Sequence, residues 1–273
     1  APSSAALAAA RLGWDLAATG VVSVVDGELT RVLAYLTDGA DLLVMSRDGQ
    51  TPRALAAILT EAGFGWSSMT VLSDLGGPDE AAAAGVARTW KVESVPALNI
   101  VAIHCVGPRR SAAPGLPDEQ FDNDGQLTKQ PIRALTISAL APAEGQLLWD
   151  VGAGSGSIGI EWLRFLRGGR VIAFESDPGR AARIGENAQR HGVSDRLTVA
   201  GAVPEALAHA PDPDTVFIGG GLTDEVLKTC WSVLPEGGRI VANAVTVESE
   251  QLLIAAHTEH GGELIRLGVE RTG

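Results

Sequence analysis

The strongest chemical signal in this chain of 273 residues lies between Leu147 and Gly156. The stretch reads Leu-Leu-Trp-Asp-Val-Gly-Ala-Gly-Ser-Gly, a short apolar run with one acid that continues into alternating glycines. Glycine adopts left-handed backbone readily and allows a ligand to approach the main chain without a Cβ in the way. The stretch therefore predicts a buried strand that turns sharply beside a bound molecule.

A helix and a second strand are predicted to complete this site. Apolar residues recur at helical spacing from Ile158 to Leu166, so the free N–H groups at the start of the helix would face the glycine turn. A second apolar run, Arg170 to Phe174, is followed by Glu175. A carboxylate at this position suits the two hydroxyls of a ribose, so the pattern indicates a cofactor that contains a ribose.

Three interpretations of the glycine turn are open at this point. The sequence also contains G-x-G-x-x-G from Gly154, which is the pattern of a nicotinamide or flavin site. Counted from the strand end, however, that fingerprint should begin at Gly152, which would place Ser157 at its third glycine. An acid at Asp150 suits the charged amino end of S-adenosylmethionine (SAM) but would repel a pyrophosphate. The turn therefore resembles the cofactor loop of class I SAM methyltransferases, with a dinucleotide site and a structural turn without ligand as alternatives.

Composition limits the class of protein further. A hydrophobic fraction of 45% with 20% charged residues is typical of globular proteins, and the length allows two domains. No apolar run approaches the ~18 residues of a membrane span, and the Ala-rich start lacks the pattern of a signal peptide, so we expect a cytoplasmic enzyme. A net charge of −12 argues against nucleic acid as a partner. Cys105, Cys230 and the five histidines show no metal-ligand spacing, so no metal is expected.

Two α/β blocks are predicted, residues 1–111 and 112–273, with a linker rich in proline, glycine and small residues at 106–117. In the first block Thr51 is the expected N-cap of a helix through Gly63, with Pro52 at its first position. The other elements expected there are a helix from Ser4 to Leu12 and strands at Val21–Val25, Leu42–Met45, Thr70–Leu72 and Leu98–His104, in a small mixed sheet. The second block alternates helices with strands near residues 147, 170, 196, 215, 239 and 263, as in a doubly wound sheet.

Longer motifs make the resemblance more specific. Pro117-Asp-Glu-Gln-Phe and Ala242-Asn-Ala-Val-Thr-Val-Glu, together with the glycine turn, resemble the decarboxylating precorrin methyltransferases that methylate carbon 15 in cobalamin synthesis. The first block is similar to the second half of a tetrapyrrole methylase that acts at carbon 5, through Leu7-Ala-Ala-Ala-Arg-Leu-Gly-Trp, Asp48-Gly-Gln-Thr-Pro and Leu75-Gly-Gly-Pro-Asp-Glu. In this order the blocks resemble the precorrin-6Y C5,15-methyltransferase family. The implied fold is a class I, Rossmann-like SAM methyltransferase sheet preceded by a partial tetrapyrrole-methylase α/β domain. The N-terminal lobe of that domain, and the usual last strand of the other, are expected to be missing.

This resemblance implies SAM-dependent methylation of a precorrin at carbon 15 with decarboxylation of the carbon-12 acetate, and methylation of carbon 5 if the first domain is complete. The substrate would be an anionic reduced tetrapyrrole, and we expect a homo-oligomer with no nucleic-acid or membrane partner. In-line methyl transfer needs alignment and exclusion of water more than a strong base, so no catalytic triad is required. A SAM-dependent enzyme outside the tetrapyrrole pathway and a non-catalytic SAM-binding module are the alternatives.

The resemblance also implies which residues bind SAM. Thr128 is expected at the carboxylate end of the cofactor, Glu175 at the ribose, and Ala202 and Val203 at the adenine. The family usually has aspartate where this chain has Ala202, so backbone groups would replace that side-chain contact. The complete predicted set is Thr128, Asp150, Gly152, Ala153, Gly154, Ser155, Gly156, Glu175, Ala202 and Val203.

Asn243 is a candidate for the substrate side of the site. It lies near the end of a predicted strand, between apolar neighbours, so its amide must find partners. It either anchors a loop by a hydrogen bond or faces the tetrapyrrole from the carboxyl end of the sheet, where ligands of open α/β folds bind.

Lys129 and Arg133 are the remaining catalytic-site candidates. They are four residues apart, hence on one face of a helix after Thr128, and are expected to form a basic rim that attracts an anionic substrate to an acidic chain. Ordinary solvated charges are the alternative. The other cations considered for this rim are Arg109 and Arg110 in the linker and, after them, Arg164 and Arg167.

Overall fold

A computed structural model describes residues 2–270, which form two compact units. The first unit contains the residues up to Ser111 together with Gln189–Asp195. The second contains Ala112–Ala188 and the residues from Arg196 onward. Each unit has its own sheet. Within the part of the chain described, no helix combines the length and apolar character that crossing a bilayer requires.

The first unit is a mixed sheet that is covered on both faces. Its strands are β1 (Gly20–Ser23), β2 (Asp41–Met45), β3 (Ser68–Ser73), β4 (Ala81–Val86) and β5 (Asn99–His104), and its helices are α1 (Ser4–Leu12) and α2 (Thr51–Glu61). The strand order is β1-β2-β5-β3-β4, with a parallel pair only between β1 and β2. Leu55 of α2 packs with Val44, whereas Ala8 of α1 packs with Leu43, since neighbouring strand residues point to opposite faces.

One local prediction for the first unit was wrong, and one strand was not predicted. The predicted N-cap Thr51 is instead the first residue of α2, and the Asp48 carboxylate accepts hydrogen bonds from the N–H groups of Gln50 and Thr51, each at 2.9 Å. Strand β4 was not predicted, because its sequence is Ala-Ala-Ala-Ala-Gly-Val and alanine and glycine have low strand propensity. Pairing along all six residues with β3 overrides that propensity.

The second unit is a wholly parallel sheet with helices between its strands. The strands are β6 (Leu147–Val151), β7 (Arg170–Phe174), β8 (Leu197–Ala200), β9 (Thr215–Ile218) and β10 (Arg239–Ala242). The helices are α3 (Gln130–Leu140), α4 (Ser157–Arg164), α5 (Pro178–Arg190), α6 (Asp224–Val233) and α7 (Val247–His260). The order β10-β9-β6-β7-β8 reverses direction at β6, so the loop after β6 lies at the topological switch point, where open α/β sheets bind ligands.

The strand predicted near residue 263 is absent, although the other five predicted strands of this unit form. Residues 261–270 have no regular structure, and Ile265 and Val269 among them are exposed. An apolar run forms a strand only when a neighbouring strand satisfies its backbone N–H and C=O groups, and none of the described strands pairs with this segment.

Candidate cofactor site

The glycine turn after β6 is built from three left-handed glycines. Gly152, Gly154 and Gly156 have φ angles of +69°, +60° and +75°. The N–H groups of Gly152 and Ala153 both donate to the Phe174 carbonyl oxygen of β7, at 3.0 and 3.1 Å, which fixes the start of the turn. Gly156 then directly precedes the first residue of α4, so the turn ends at the amino end of a helix as predicted.

Neighbouring backbone requires glycine at position 152 and approaches position 154 closely. An ideal Cβ at Gly152 would lie 2.5 Å from the carbonyl oxygen of Gly220, in the loop after β9. An ideal Cβ at Gly154 would lie 3.3 Å from the carbonyl oxygen of Gln126. The sequence suggested that a ligand excludes the Cβ, whereas at Gly152 the structure shows that another loop of the protein does so.

Glu175 follows β7 and faces the glycine turn. Its side chain is buried, its Oε2 accepts a hydrogen bond from the Gly154 N–H at 2.8 Å, and its Oε1 accepts one from the Asp177 N–H at 2.9 Å. A carboxylate has about four acceptor positions, so both oxygens retain capacity for further donors. The geometry is therefore compatible with two additional hydrogen bonds from ribose hydroxyls.

Asp150 is buried between the glycine turn and the first turn of α4. Its side chain is 1% exposed, and its Oδ2 accepts a hydrogen bond from the Gly159 N–H of α4 at 2.9 Å. Its Oδ1 has no hydrogen-bond partner among the described residues. The acid thus supports the first turn of α4 through Oδ2, and a contact of Oδ1 with the amino group of SAM stays a prediction.

Burial raises the pKa of Asp150 to about 7. The hydrogen bond from the Gly159 N–H lowers this pKa, and the negative charge of Glu175 raises it further. Because the usual pKa is 3.8, the folded chain holds this proton in a pH range where the unfolded chain has released it. Stability is therefore lost as the pH rises from about 4 to about 7, and the loss persists above that range. We expect Asp150→Asn to be more stable than the parent chain at pH 8, by up to about 4 kcal/mol, and to lose most of this advantage near pH 4.

Chemical unfolding at several pH values measures this difference. Asp124→Asn is the control of opposite sign, because the Arg180 side chain lowers the pKa of Asp124 and its ionised form is the stabilised one. A gap between Asp150→Asn and the parent that stays constant from pH 4 to pH 8 would show that Asp150 does not titrate in this range.

A segment we call the strap, Gly115–Lys129, passes beside the glycine turn and contains two predicted site residues. Thr128 is half-buried, and its carbonyl oxygen accepts a hydrogen bond from the Arg133 guanidinium. Lys129 is exposed and directly precedes α3. The close approach of the Gln126 carbonyl to Gly154 places the strap over the predicted cofactor loop.

Arg133 is buried, and the prediction that it joins Lys129 in an exposed basic rim is wrong. Its side chain is 0% exposed, and its Nε donates to Glu161 Oε1 at 2.6 Å. Its guanidinium also packs on the Phe121 ring, 4.7 Å from the ring centroid. Lys129 is the residue before α3 and has extended backbone, so helical spacing does not apply to this pair. The spacing also did not reveal that the strap and α4 cover this part of α3.

The other cations considered for the rim lie elsewhere. Arg164 is the last residue of α4 and Arg167 follows it, whereas the glycine turn precedes the first residue of that helix. Arg110 belongs to the first unit, where its guanidinium donates to the Leu33 carbonyl oxygen and lies over the Phe64 ring. Arg109, also in the first unit, is 3.8 Å from Asp38. Of the cations predicted for the rim, Lys129 is exposed and ends the strap, whose Gln126 carbonyl oxygen approaches Gly154.

Asn243 follows β10 and makes an anchoring contact. Its N–H donates to the Ile218 carbonyl oxygen at 3.0 Å, and its Nδ2 donates to Thr136 Oγ1 of α3 at 3.1 Å. The side chain is half-buried. This agrees with the first alternative given for Asn243, an anchoring hydrogen bond. A contact between Asn243 and the substrate stays a prediction.

The predicted adenine residues lie in the loop after β8. Ala202 is exposed, and Val203 is half-buried, with its side chain 3.6 Å from the position of a Cβ on Gly221 in the loop after β9. Both loops are at the carboxyl edge of the parallel sheet, the same edge as the glycine turn. The structure therefore places Ala202 and Val203 on the expected edge, and their contact with adenine stays a prediction.

Sequence analysis missed two buried polar residues of this site. Glu161 of α4 is 0% exposed and accepts hydrogen bonds from the N–H groups of Gly115 and Leu116. Asn187 of α5 is also 0% exposed and bonds to both backbone groups of Asp122 and to the Ser155 carbonyl oxygen. Glu161 carried a usable signal, because it is an acid within the apolar run Ile-Gly-Ile-Glu-Trp-Leu of an amphipathic helix.

The sheet order, the glycine turn at the switch point and the acid after the second strand together define a class I, SAM-dependent methyltransferase fold. A family model described as precorrin methyltransferase domain matches residues 119–273. A protein of Sinorhizobium sp. named precorrin-6Y C(5,15)-methyltransferase (decarboxylating) is 45% identical over 278 residues, which cover 100% of this chain and 67% of that protein. This chain belongs to the precorrin methyltransferase family.

Two further comparisons concern shorter proteins. A Pyrobaculum calidifontis protein named probable cobalt-precorrin-6B C(15)-methyltransferase (decarboxylating) is 37% identical over 156 residues, covering 55% of this chain and 80% of its own length. The crystal structure of the C-terminal domain of a Rhodobacter capsulatus precorrin-6Y C5,15-methyltransferase is 47% identical, with a TM-score of 0.57, and the match covers 60% of this chain and 90% of that one. The family and fold class expected from the sequence are confirmed.

Proposed function

We propose that this chain methylates a precorrin at carbon 15, with SAM as methyl donor, and decarboxylates the carbon-12 acetate. The observation that carries the proposal is the glycine turn and Glu175 at the switch point of the second unit. Both lie within residues 119–273, the span that the precorrin methyltransferase domain model matches. The substrate class is taken from the names of the relatives. The second unit contributes a candidate SAM site, formed by the glycine turn and Glu175.

The residues of the second unit fit SAM. Glu175 retains acceptor capacity for two ribose hydroxyls, and the strap and the loop after β8 flank the turn on the sides where the methionine and adenine ends are expected. The Ser155 hydroxyl is buried in the turn without a hydrogen-bond partner among the described residues. An unsatisfied polar atom is rare in a buried position and is expected where a bound ligand or an ordered water completes the site.

The chemistry requires positioning more than proton transfer. When bound, SAM supplies an electrophilic methyl group, and the electron pair released with carbon dioxide provides the nucleophilic carbon. The task of the protein is then to hold donor and acceptor in line and to exclude water. Rigid backbone at Gly152 and Ala153, bonded to β7, and the strap over Gly154 suit that task. Lys129 is exposed at the end of the strap, and its proposed role is to attract the carboxylates of the substrate.

For the first unit we propose a part of the tetrapyrrole methylase domain that acts at carbon 5. Its three motifs are brought together, since Arg11 of the first pairs with Glu80 of the third at 2.6 Å. The second motif, from Asp48, follows β2, and the third, from Leu75, follows β3. Both strands run antiparallel to β5, so their carboxyl ends lie on the same edge of the sheet. The homo-oligomer and the cytoplasmic location stay predictions.

Binding measurements separate the three candidate functions. Calorimetry with SAM and S-adenosylhomocysteine is expected to show one binding event each in the second unit, and an absorbance titration with a reduced precorrin is expected to saturate. A chain that binds SAM but not the tetrapyrrole would favour a methyltransferase of other small molecules. Binding of both without turnover would favour a non-catalytic module.

The role of Asn243 is tested by a pair of variants that remove the same hydrogen bond from opposite sides. Asn243→Ala and Thr136→Val each abolish the bond between α3 and the end of β10, at a cost of about 1 kcal/mol in stability. If Asn243 also contacts the substrate, Asn243→Ala is expected to lower turnover at least about tenfold more than Thr136→Val, with equal SAM affinity. Equal turnover in the two variants would assign Asn243 a purely structural role.

A further inference from the structure

One buried guanidinium joins the two ends of the strap. Arg133 of α3 donates to the carbonyl oxygen of Leu116 near the beginning of the strap and to that of Thr128 near its end. The same group also donates to Asp118 Oδ1 at 3.1 Å. A single side chain therefore closes the segment into a loop, as expected for a compact surface loop whose ends lie close together.

The closed loop is attached to the helix that begins at the glycine turn. Glu161 of α4 pairs with Arg133 Nε and accepts the N–H groups of Gly115 at 2.7 Å and Leu116 at 2.9 Å. Both members of the ion pair are 0% exposed. Buried charges persist only where they are paired and fully hydrogen-bonded. Apart from the bond between Arg133 and Glu161, the hydrogen bonds described here for these two side chains go to residues of the strap.

The middle of the strap is attached to the glycine turn itself. Asn187 bonds to the N–H and the carbonyl oxygen of Asp122, both at 2.9 Å, and to the Ser155 carbonyl oxygen at 3.0 Å. Arg180 of α5 pairs with Asp124 at 2.8 Å. The strap thus has a buried base at Arg133 and Glu161 and a second attachment beside the turn.

We propose that Arg133 is a positioning residue that closes the strap over the glycine turn and thereby sets the affinity for SAM. It acts through the backbone of Thr128 and touches neither cofactor nor substrate. This inference rests on the proposed function, because it assumes that SAM binds at the glycine turn beneath the strap. It replaces the role in a basic rim that the spacing from Lys129 suggested.

The test compares one chemical change at two arginines. Arg133→Lys keeps a charge beside Glu161, but an ammonium group lacks the fork that reaches two carbonyl oxygens at once. The matched control is Arg196→Lys, because Arg196 also donates to two carbonyl oxygens, those of Leu163 and Leu166, at the opposite end of α4. Arg133→Lys is expected to raise the dissociation constant for SAM about tenfold to a hundredfold, and Arg196→Lys to leave it within about twofold.

Hydrogen exchange without SAM provides a readout independent of binding. Arg133→Lys is expected to accelerate exchange of the strap amides, residues 115–129, while those of β6 and β7 keep the parent rates. Asp118→Ala, at a partly exposed side chain, is a second variant that removes one strap contact of Arg133 together with the hydrogen bond from the Gln130 N–H at 2.9 Å. It should loosen the strap amides and those of the first turn of α3.

Four outcomes are decisive. Faster strap exchange with weaker SAM binding in Arg133→Lys, and neither in Arg196→Lys, supports the proposal. Uniformly faster exchange across the sheet would show that Arg133 stabilises the whole second unit. Unchanged SAM affinity together with faster exchange of the strap would show that the strap does not determine the affinity for SAM. Either result overturns the proposal. A parent chain that binds no SAM would refute the proposed function instead.

Discussion

Glu175→Ala is expected to weaken SAM binding by about 2–4 kcal/mol, because two charge-assisted hydrogen bonds to the ribose contribute about 1.5–3 kcal/mol each and water recovers part of the loss. The structure adds a second contribution in the same direction. The carboxylate also accepts the N–H of Gly154, so its removal leaves one of the turn's backbone donors without its partner. Calorimetry with SAM measures the change directly.

Glu144→Ala is a matched control for this variant. Glu144 also accepts two backbone N–H groups, those of Arg167 and Gly168, each at 2.9 Å, but it precedes β6 and so lies at the opposite edge of the sheet. Its removal takes away the same kind of backbone hydrogen bond, at a smaller cost in stability because the side chain is exposed, and should leave SAM affinity unchanged. Less than a twofold change in SAM affinity for Glu175→Ala would remove the ribose assignment.

Gly152→Ala is expected to have the second large effect, on stability as well as binding. The new Cβ would meet the Gly220 carbonyl oxygen at 2.5 Å, and the residue has a φ of +69°, which disfavours any side chain. The left-handed backbone costs about 1–2 kcal/mol and overpacking about 1–3 kcal/mol, so we expect a loss of about 2–5 kcal/mol. Chemical unfolding of the variant provides the measurement.

Gly145→Ala separates the two contributions. Gly145 has a φ of +81°, yet its Cβ would have no heavy atom within 4 Å, so this variant carries the backbone cost alone. We expect it to lose about 1–2 kcal/mol and to bind SAM normally. If Gly152→Ala is no less stable than Gly145→Ala, the close approach between the loops after β6 and β9 does not constrain this position.

Local sequence patterns were sufficient to predict those elements whose ends are determined by neighbouring residues in the chain. The bounds of α1 follow from Ser3, whose side chain accepts the Ala6 N–H, and from left-handed Gly13 at its end. The segment that contains β6, the glycine turn and α4 was likewise predictable. An apolar strand, alternating glycines and a helical spacing of apolar residues follow one another directly in the sequence.

Contacts between residues that are far apart in the sequence were not predictable from the same patterns. Arg133 reads as an exposed helical cation, and only the fold brings Glu161, from 28 residues further on, to its Nε. The hydrogen bond from the Gly159 N–H to Asp150 Oδ2, nine residues apart, was not indicated by the sequence pattern either. The apolar residues near 263 satisfy the pattern of a strand, but a strand also needs a neighbour, which a one-dimensional pattern does not contain.

Mass spectrometry of the tetrapyrrole after incubation with this chain, reduced precorrin-6 and SAM labelled in its methyl group tests the central claim most directly. We predict a product that has gained the labelled methyl group and lost one carbon dioxide, and we predict that Glu175→Ala forms it only at much higher SAM concentration. A labelled product that retains every carboxylate, or an unchanged tetrapyrrole in the presence of bound SAM, would contradict the assignment of this second unit to decarboxylating methylation at carbon 15.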